Sequence, residues 1–315
     1  MLLKFLTGEP ALVFNKNLVI ADLHIGIETE FRKGGIIVPT QIEQMKGKIN
    51  NLIKKTKAKR LVIIGDVKDQ VPGVSLQELR EVPEFFNYFS SKIETHICLG
   101  NHDSEIPALV ENVTIHDTDG FSLDDAYITH GHSWPKKEFL DSKYLIISHT
   151  HPLIEIRDKL GYRFLERVWI KSGFNPKAIK EKYFATQKPL PKMRPFSRKM
   201  EVDFLTNWSK INFVPLKLHQ KHFFSDEKTC TRNLFPKKLH QKEIYKKIDR
   251  LPEIILMSAF NWLCGGVALN SEIKNRKRNK EEFFGPLTKL IDKKQTEIFL
   301  LDGTFLGKLE DLKNG

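Results

Sequence analysis

The sequence predicts an α/β protein, because short apolar runs typical of buried strands alternate with segments of helical periodicity. Five runs of strand length, rich in β-branched residues, lie in the first half of the chain, at residues 18–21, 61–64, 97–99, 127–129 and 145–148. Helices are predicted between the first of these runs, at residues 28–33, 39–55 and 76–91. We expect Pro83 to break or reset the third helix.

The end of the chain predicts further strands. Residues 254–260 form another apolar run, and residues 296–301 and 304–309 flank an Asp302-Gly303 turn, which indicates a β-hairpin. With 315 residues and 40% hydrophobic content, the chain can bury a sizeable core. No run reaches the roughly 18 apolar residues of a membrane span, and three cysteines, with Cys98 in a strand run, argue against a disulfide framework. We therefore expect a cytoplasmic protein without a membrane partner.

Each of the five strand runs is followed by residues of types that commonly bind metal ions. Because the carboxyl ends of parallel strands meet at one edge of a sheet, we expect these residues to converge. Carboxylate, imidazole and amide donors without a thiolate favour a site for Mn²⁺, Fe or Zn²⁺ over a structural zinc site. Seven candidate ligands are too many for one ion. The five segments are Asp22-Leu23-His24, Gly65-Asp66, Gly100-Asn101-His102-Asp103, His130-Gly131-His132 and His149-Thr150-His151.

These five segments, in this order, resemble the signature of the calcineurin-like metallophosphoesterases. The likeness is closest to the archaeal and bacterial predicted phosphoesterases whose bacterial members are associated with a DNA ligase and a helicase. It is carried by residues 22–28, 65–68, 149–152, 259–261 and 265–266. One position departs from the pattern, since Ser148 stands where the family usually has glycine. The resemblance implies two mixed β-sheets packed face to face with helices outside, a four-layer sandwich.

The resemblance also implies a site with two divalent metal ions, most simply Mn²⁺, with Fe, Zn²⁺ or Ni²⁺ as alternatives. Asp66 would bridge the ions, because a carboxylate can bind two cations at once. A hydroxide between the ions would attack the phosphorus. The implied ligands are Asp22, His24, Asp66 and His151 for the first ion, and Asp66, Asn101, His130 and His149 for the second.

Several neighbouring residues have two interpretations each. His102 resembles the family histidine that faces the scissile phosphate and protonates the leaving oxygen. Asp103 either orients His102, which would make it catalytic, or caps the following helix. Lys68 is either a phosphate contact or a solvated loop lysine. His132 is either a partner of a ligand or an ordinary loop histidine, and Asn261 either caps a turn or faces the cleft.

The net charge of +12 is concentrated in one part of the chain. Residues 171–250 hold 20 Lys and Arg against 7 Asp and Glu, together with many aromatic residues and prolines. We therefore predict a core at residues 1–170, a basic insertion at 171–250 that is irregular or partly disordered, and strands completing the core at 251–315. The insertion is interpreted as a nucleic-acid arm, against the alternative of a solvated loop. The lysines assigned to nucleic-acid binding are Lys237, Lys238, Lys242, Lys246 and Lys247.

The predicted function is a dimetal phosphoesterase, a phosphodiesterase or nuclease that acts on DNA or RNA. Hydrolysis of a small or cyclic phosphoester is an alternative within the same chemistry. A non-catalytic nucleic-acid adaptor is an alternative from a different class, against which the complete ligand set argues. A helicase or a ligase is the partner that the resemblance implies.

Overall fold

The computed structural model describes residues 3–184, 250–270 and 285–313. These residues form helices and strands that alternate along the chain. The helices are α1 (Glu28–Lys33), α2 (Ile42–Thr56), α3 (Leu76–Ser90), α4 (Ile106–Leu109) and α5 (Pro176–Ile179). The strands are β1 (Lys4–Phe5), β2 (Ala11–Phe14), β3 (Asn17–Ala21), β4 (Arg60–Ile64), β5 (Glu94–Cys98), β6 (Thr114–His116), β7 (Phe121–Leu123), β8 (Ala126–Ile128), β9 (Tyr144–Ile147), β10 (Pro152–Arg157), β11 (Arg163–Ser172), β12 (Glu253–Leu256), β13 (Val267–Ala268), β14 (Glu297–Leu300) and β15 (Phe305–Lys308).

The strands form two mixed sheets. The first has the order β1-β2-β3-β4-β5-β6, in which β3 to β6 are parallel and β1 and β2 are antiparallel. The second has the order β13-β10-β11-β12-β9-β8-β7, and the hairpin of β14 and β15 pairs with β11. The predicted hairpin is therefore confirmed, and it extends the second sheet. In each sheet the parallel strands end at one edge, where the loops that carry the metal-type residues begin.

The sheets pack face to face, with helices outside. Val19 and Val62 of the first sheet lie in one apolar cluster with Ile128 and Ile146 of the second. The opposite face of the first sheet packs against the apolar sides of α2 and α3. On the outer face of the second sheet, Phe139 contacts Tyr127 and two aromatic residues of the 174–183 segment. These four layers confirm the predicted fold class.

The element boundaries follow the predictions closely, with one clear exception. Helix α1 has the predicted bounds, and α2 begins three residues later than expected, at Ile42. The expected break at Pro83 is wrong, because α3 runs from Leu76 to Ser90 with Pro83 inside it. Buried Val82, Phe85 and Phe86 fix this helix against the core, which outweighs the one backbone hydrogen bond that proline removes. None of the described helices combines the length and the apolar character that a membrane crossing needs.

The first prediction concerns Gly47, which lies on the exposed side of α2. A Cβ atom at this position would meet no atom within 4 Å. Because glycine in a helix is less stable than alanine by roughly 0.5–1 kcal/mol, Gly47→Ala should raise the free energy of unfolding by about that amount. Urea denaturation measures it.

Gly303→Ala is the matched control, since a Cβ atom there also meets nothing within 4 Å, but its φ of +97° is strained for alanine. The control should lower the free energy of unfolding. A Gly47→Ala protein no more stable than the wild type would contradict the prediction.

Candidate metal centre

The metal-type residues converge where the carboxyl edges of the two sheets meet. Asp22 and Asp66 follow β3 and β4 of the first sheet, and His130 and His149 follow β8 and β9 of the second. The arrangement arises because the loops leaving the two packed sheets open toward the same space. The predicted convergence therefore involves both sheets, not one.

His130 lies at the centre of the cluster. Its Nε2 atom lies 3.0 Å from Asp22 Oδ1 and 3.4 Å from Asp66 Oδ2. His151 Nε2 lies 3.6 Å from Asp22 Oδ2, and His24 Nε2 lies 3.7 Å from Asp66 Oδ2. The two carboxylates therefore share one imidazole between them and each has a second imidazole beside it.

Of four groups of described donor atoms that could each hold a metal ion, two share Asp66 and consist only of candidate ligands. Within each set all donor atoms lie within 4.8 Å of one another. Buried polar atoms without a hydrogen-bond partner are rare, yet both sets contain them: Asp22 Oδ2, His24 Nε2 and His151 Nε2 in the first, and His149 Nδ1 in the second. Such orphaned acceptors fit cations at these positions. The first set is Asp22, His24, Asp66 and His151, and the second is Asp66, His130 and His149.

The electrostatics of the cluster show that it requires positive charge. Burial alone would raise the pKa of Asp22 and Asp66, but the neighbouring imidazoles outweigh burial and hold both values below the usual range. The two carboxylates in turn raise the pKa of His130 to about 10, against its burial. Burial and the charge of His130 lower the pKa of His149 to about 4. His149 is therefore neutral at pH 7, the form that binds a metal.

The backbone at the cluster adopts conformations that side chains usually avoid. Positive φ angles occur at Asp22 (+53°), His24 (+41°), Asp66 (+44°), His149 (+75°) and His151 (+42°). Each such residue carries strain on the order of 1–3 kcal/mol, which the surrounding hydrogen bonds must offset. Here the ligand loops bond to each other, as His24 N does to Asp66 O at 2.9 Å.

Two glycines allow the close packing of these loops. A Cβ atom at Gly100 would lie 2.2 Å from both the backbone nitrogen and Oδ1 of Asp66, and one at Gly65 would lie 2.1 Å from the His130 ring. Real Cβ atoms do not approach so closely. Glycine is therefore required before Asn101 and before Asp66, as the sequence motifs have it.

Asp69 orients two histidines of the cluster. Its Oδ1 atom lies 2.9 Å from His24 Nδ1, and its carbonyl oxygen lies 2.5 Å from His102 Nδ1. Both contacts assign a proton to Nδ1 and turn Nε2 of each ring toward the cluster. His102 Nε2 lies 3.9 Å from Asp66 Oδ2. The sequence motifs did not single out Asp69 for this role, because its position three residues after Asp66 carries no spacing signal.

The loop that carries Asp69 is fixed by two buried charged residues. Lys68 Nζ donates to the carbonyl oxygens of Gln70 (2.5 Å) and Gly73 (2.8 Å) and pairs with Glu105 at 3.0 Å. Glu78 accepts hydrogen bonds from the backbone nitrogens of Asp69 and Gln70 at 2.8 and 2.7 Å. Lys68 is therefore neither a phosphate contact nor a solvated loop lysine, and both predictions are wrong. Its ammonium group is buried and is not accessible to a phosphate or to solvent.

Asp103 does not orient His102, which corrects the predicted catalytic role. Its carboxylate is buried and accepts hydrogen bonds from Val67 N and Gly100 N, both at 2.8 Å. Burial and the charge of Asp66 raise the pKa of Asp103 to about 6. The side chain ties the loop after β4 to the loop after β5. The alternative prediction, that the Asp103 side chain caps the following helix, is also wrong, because α4 begins at Ile106 without a side-chain cap.

Three further polar residues support the cluster. Asn261 caps the turn that follows it, since Oδ1 accepts from Leu263 N at 3.0 Å, and its buried amide donates through Nδ2 to Leu23 O at 2.8 Å instead of facing a cleft. His132 lies 2.8 Å from His130 through their Nδ1 atoms, so it is a partner of that ring. Ser148 donates to Asp22 Oδ1 at 3.3 Å, which glycine at this position could not do.

The roles predicted for Asn101 and for five lysines are not tested by the described residues. In the described part of the chain, Asn101 has an exposed side chain that makes no hydrogen bond to the other candidate ligands. Its role as a ligand stays a prediction. The five lysines of the predicted nucleic-acid arm, Lys237, Lys238, Lys242, Lys246 and Lys247, lie outside the described residues.

Comparison with known proteins gives one family. Residues 16–228 match the family of calcineurin-like phosphoesterases, and no curated protein sequence matches the chain. Among solved structures, the Pseudomonas putida nuclease MPE is similar at 12% identity with a TM-score of 0.47, covering 96% of this chain and 94% of that chain. YfcE, a phosphoesterase from E. coli, is similar at 21% identity with a TM-score of 0.30, covering 45% of this chain and 73% of that chain.

The second prediction concerns Asp69. Asp69→Ala removes the acceptor that orients His24, and loss of such a partner typically lowers metal affinity 10- to 100-fold. We expect a loss of this size for Mn²⁺ in calorimetric titration of the folded variant. Asp69→Asn keeps an oxygen at Oδ1 and should retain most of the affinity. Equal Mn²⁺ affinity in the wild type and Asp69→Ala would show that His24 does not need this contact.

Proposed function

This chain belongs to the calcineurin-like phosphoesterase family, and from that premise we propose that it is a phosphodiesterase or nuclease that acts on DNA or RNA. Membership makes the protein a metal-dependent hydrolase of phosphoester bonds. The observation that carries the proposal is the pair of donor sets that share Asp66. Two ions held by one bridging carboxylate suit an in-line displacement at phosphorus.

Asp22, His24 and His151 would hold one ion, His130 and His149 would hold the other, and Asp66 would contribute to both. Asn101 is added to the second set on its place in the sequence motif. We propose Mn²⁺ as the metal, since imidazole and carboxylate donors without thiolate suit it. When bound, the ions supply charge neutralisation for the phosphoryl oxygens and lower the pKa of a water molecule so that it can attack.

His102 is the residue that we propose to serve the leaving group. Its ring is partly exposed, and the Asp69 carbonyl accepts from Nδ1, so Nε2 faces the cluster at 3.9 Å from Asp66 Oδ2. A protonated His102 can donate the Nε2 proton to the departing oxygen, after which the ring is neutral. Arginine or lysine could not do this, because neither releases its proton readily at neutral pH.

Nucleic acid is the substrate class that the charge distribution favours. The surplus of 13 positive charges in residues 171–250 would neutralise phosphates along a strand, although this attraction carries no sequence specificity. A helicase or ligase remains the partner proposed from the sequence resemblance. A small phosphoester is the alternative substrate, and the experiment below distinguishes the two.

The third prediction tests the reaction class. With Mn²⁺, the full chain should hydrolyse bis(p-nitrophenyl) phosphate faster than p-nitrophenyl phosphate, and a chelator should abolish turnover. Cleavage of a long single-stranded oligonucleotide should weaken steeply with added salt, because phosphate contacts release counterions. Preference for the monoester, or salt-independent cleavage, would favour the small-substrate alternative.

Asp66→Asn is the control for the bridge. Removing one negative charge between two cations should abolish turnover and reduce the bound metal measured by elemental analysis. A folded Asp66→Asn protein with the wild-type metal content would refute the shared ligand.

The fourth prediction separates binding from proton transfer. His102→Ala should keep its bound metal while kcat for oligonucleotide cleavage falls on the order of 10²–10⁴-fold. The loss should be smaller for bis(p-nitrophenyl) phosphate, whose leaving group departs without a proton. Loss of metal from this variant would instead make His102 a ligand.

A further inference from the structure

Trp262 is exposed although the loop that carries it is part of the metal centre. Its side chain is 57% exposed, whereas Asn261 before it and Cys264 after it are buried. A tryptophan left in water forgoes more apolar burial than any other side chain would. Trp262 therefore offers a large aromatic surface to solvent between two buried residues of the loop.

The loop is attached to the candidate ligands on both sides of Trp262. Before it, Asn261 Nδ2 donates to Leu23 O at 2.8 Å and also contacts His24 O at 3.4 Å. After it, the Gly265 carbonyl oxygen lies 3.0 Å from His151 Nδ1. Trp262 directly follows Asn261, so its Cα atom lies only about 3.8 Å from the Cα atom of a residue that is bonded to the loop of Asp22 and His24.

The ring of Trp262 is held in one orientation. Its Nε1 atom donates to Gln41 Oε1 at 2.8 Å. Gln41 is itself buried, with its side-chain nitrogen donating to Pro39 O at 2.6 Å and its backbone nitrogen to Glu28 Oε1 at 2.7 Å. A planar group fixed in this way loses little conformational entropy when a ligand covers it.

We propose that the exposed face of Trp262 is a nucleobase-binding subsite, on which an unpaired base next to the scissile phosphodiester stacks. The inference rests on the proposed function and adds to it, since it assigns the group that recognises the organic part of the substrate. Stacking on an aromatic ring suits every base, so the subsite would favour nucleosides over other diesters without selecting a sequence.

Two diesters with the same leaving group test the subsite. Thymidine 5′-(p-nitrophenyl phosphate) carries a base, methyl p-nitrophenyl phosphate does not, and both release p-nitrophenolate. With Mn²⁺ and the full chain, Trp262→Ala should lower kcat/KM for the thymidine diester about 5- to 150-fold, the range that corresponds to stacking of one base. The loss should appear mainly in KM, and the methyl diester should change less than about 2-fold.

Three variants separate recognition from a structural role. Trp262→Phe keeps an aromatic face and should recover most of the thymidine activity. Gln41→Leu removes the bond that fixes the ring and should give an intermediate, thymidine-specific loss. Phe305→Ala removes an aromatic side chain of similar exposure (53%) on β15 and should affect neither diester.

A binding measurement that needs no turnover separates this inference from the proposed function. Calorimetric titration of thymidine 5′-phosphate into the metal-free protein should show weaker binding in Trp262→Ala than in the wild type. If the wild type hydrolyses neither diester but this difference in affinity is present, the proposed function fails and the subsite stands. Equal losses for both diesters in Trp262→Ala, or thymidine kinetics and affinity equal to the wild type, would overturn the subsite.

Discussion

Two buried carboxylates, Asp22 and Asp66, share the imidazole of His130, and the site is built around the positive charge that they require. Removing a carboxylate from water is unfavourable unless a cation or several donors replace the water. In this fold the replacement comes from imidazoles, which is why the pKa of His130 is high and those of the two carboxylates are low. A cluster with this charge balance is suited to divalent cations before any substrate arrives.

The convergence of these side chains also constrains the backbone. To aim their side chains into one space, Asp22, His24, Asp66, His149 and His151 all adopt positive φ angles. Such strain persists only where the surrounding structure determines it fully. Here parallel strands fix the start of each loop, and the carboxylates of Asp103 and Glu78 bind backbone nitrogens of neighbouring loops. Residues that never touch a substrate therefore hold the geometry that the chemistry uses.

The sequence predicts which side chains converge better than it predicts the residues that support them. Strands end where β-branched runs end, and ligand motifs keep fixed spacing, so the convergence of Asp22, Asp66 and His149 follows from local patterns. Asp103 and Lys68 were misinterpreted because their partners lie on other loops, and no spacing along the chain shows which way a buried side chain turns. Pro83 was misinterpreted for a related reason, since the packing of Phe85 and Phe86 on the core outweighs a local helix-breaking preference.

Chemistry and selectivity need different parts of this site. A cluster of carboxylates and imidazoles interacts with the phosphate group, which is common to all phosphoesters, so it cannot distinguish a nucleotide from another diester. Selection must come from side chains that are exposed beside the cluster and are not occupied in supporting it. Asp69, Asn261 and Lys68 do not meet this condition, because their polar groups are already hydrogen-bonded within the loops of the cluster. Trp262 meets it, since its one polar side-chain atom is bound by Gln41 while the residue is 57% exposed.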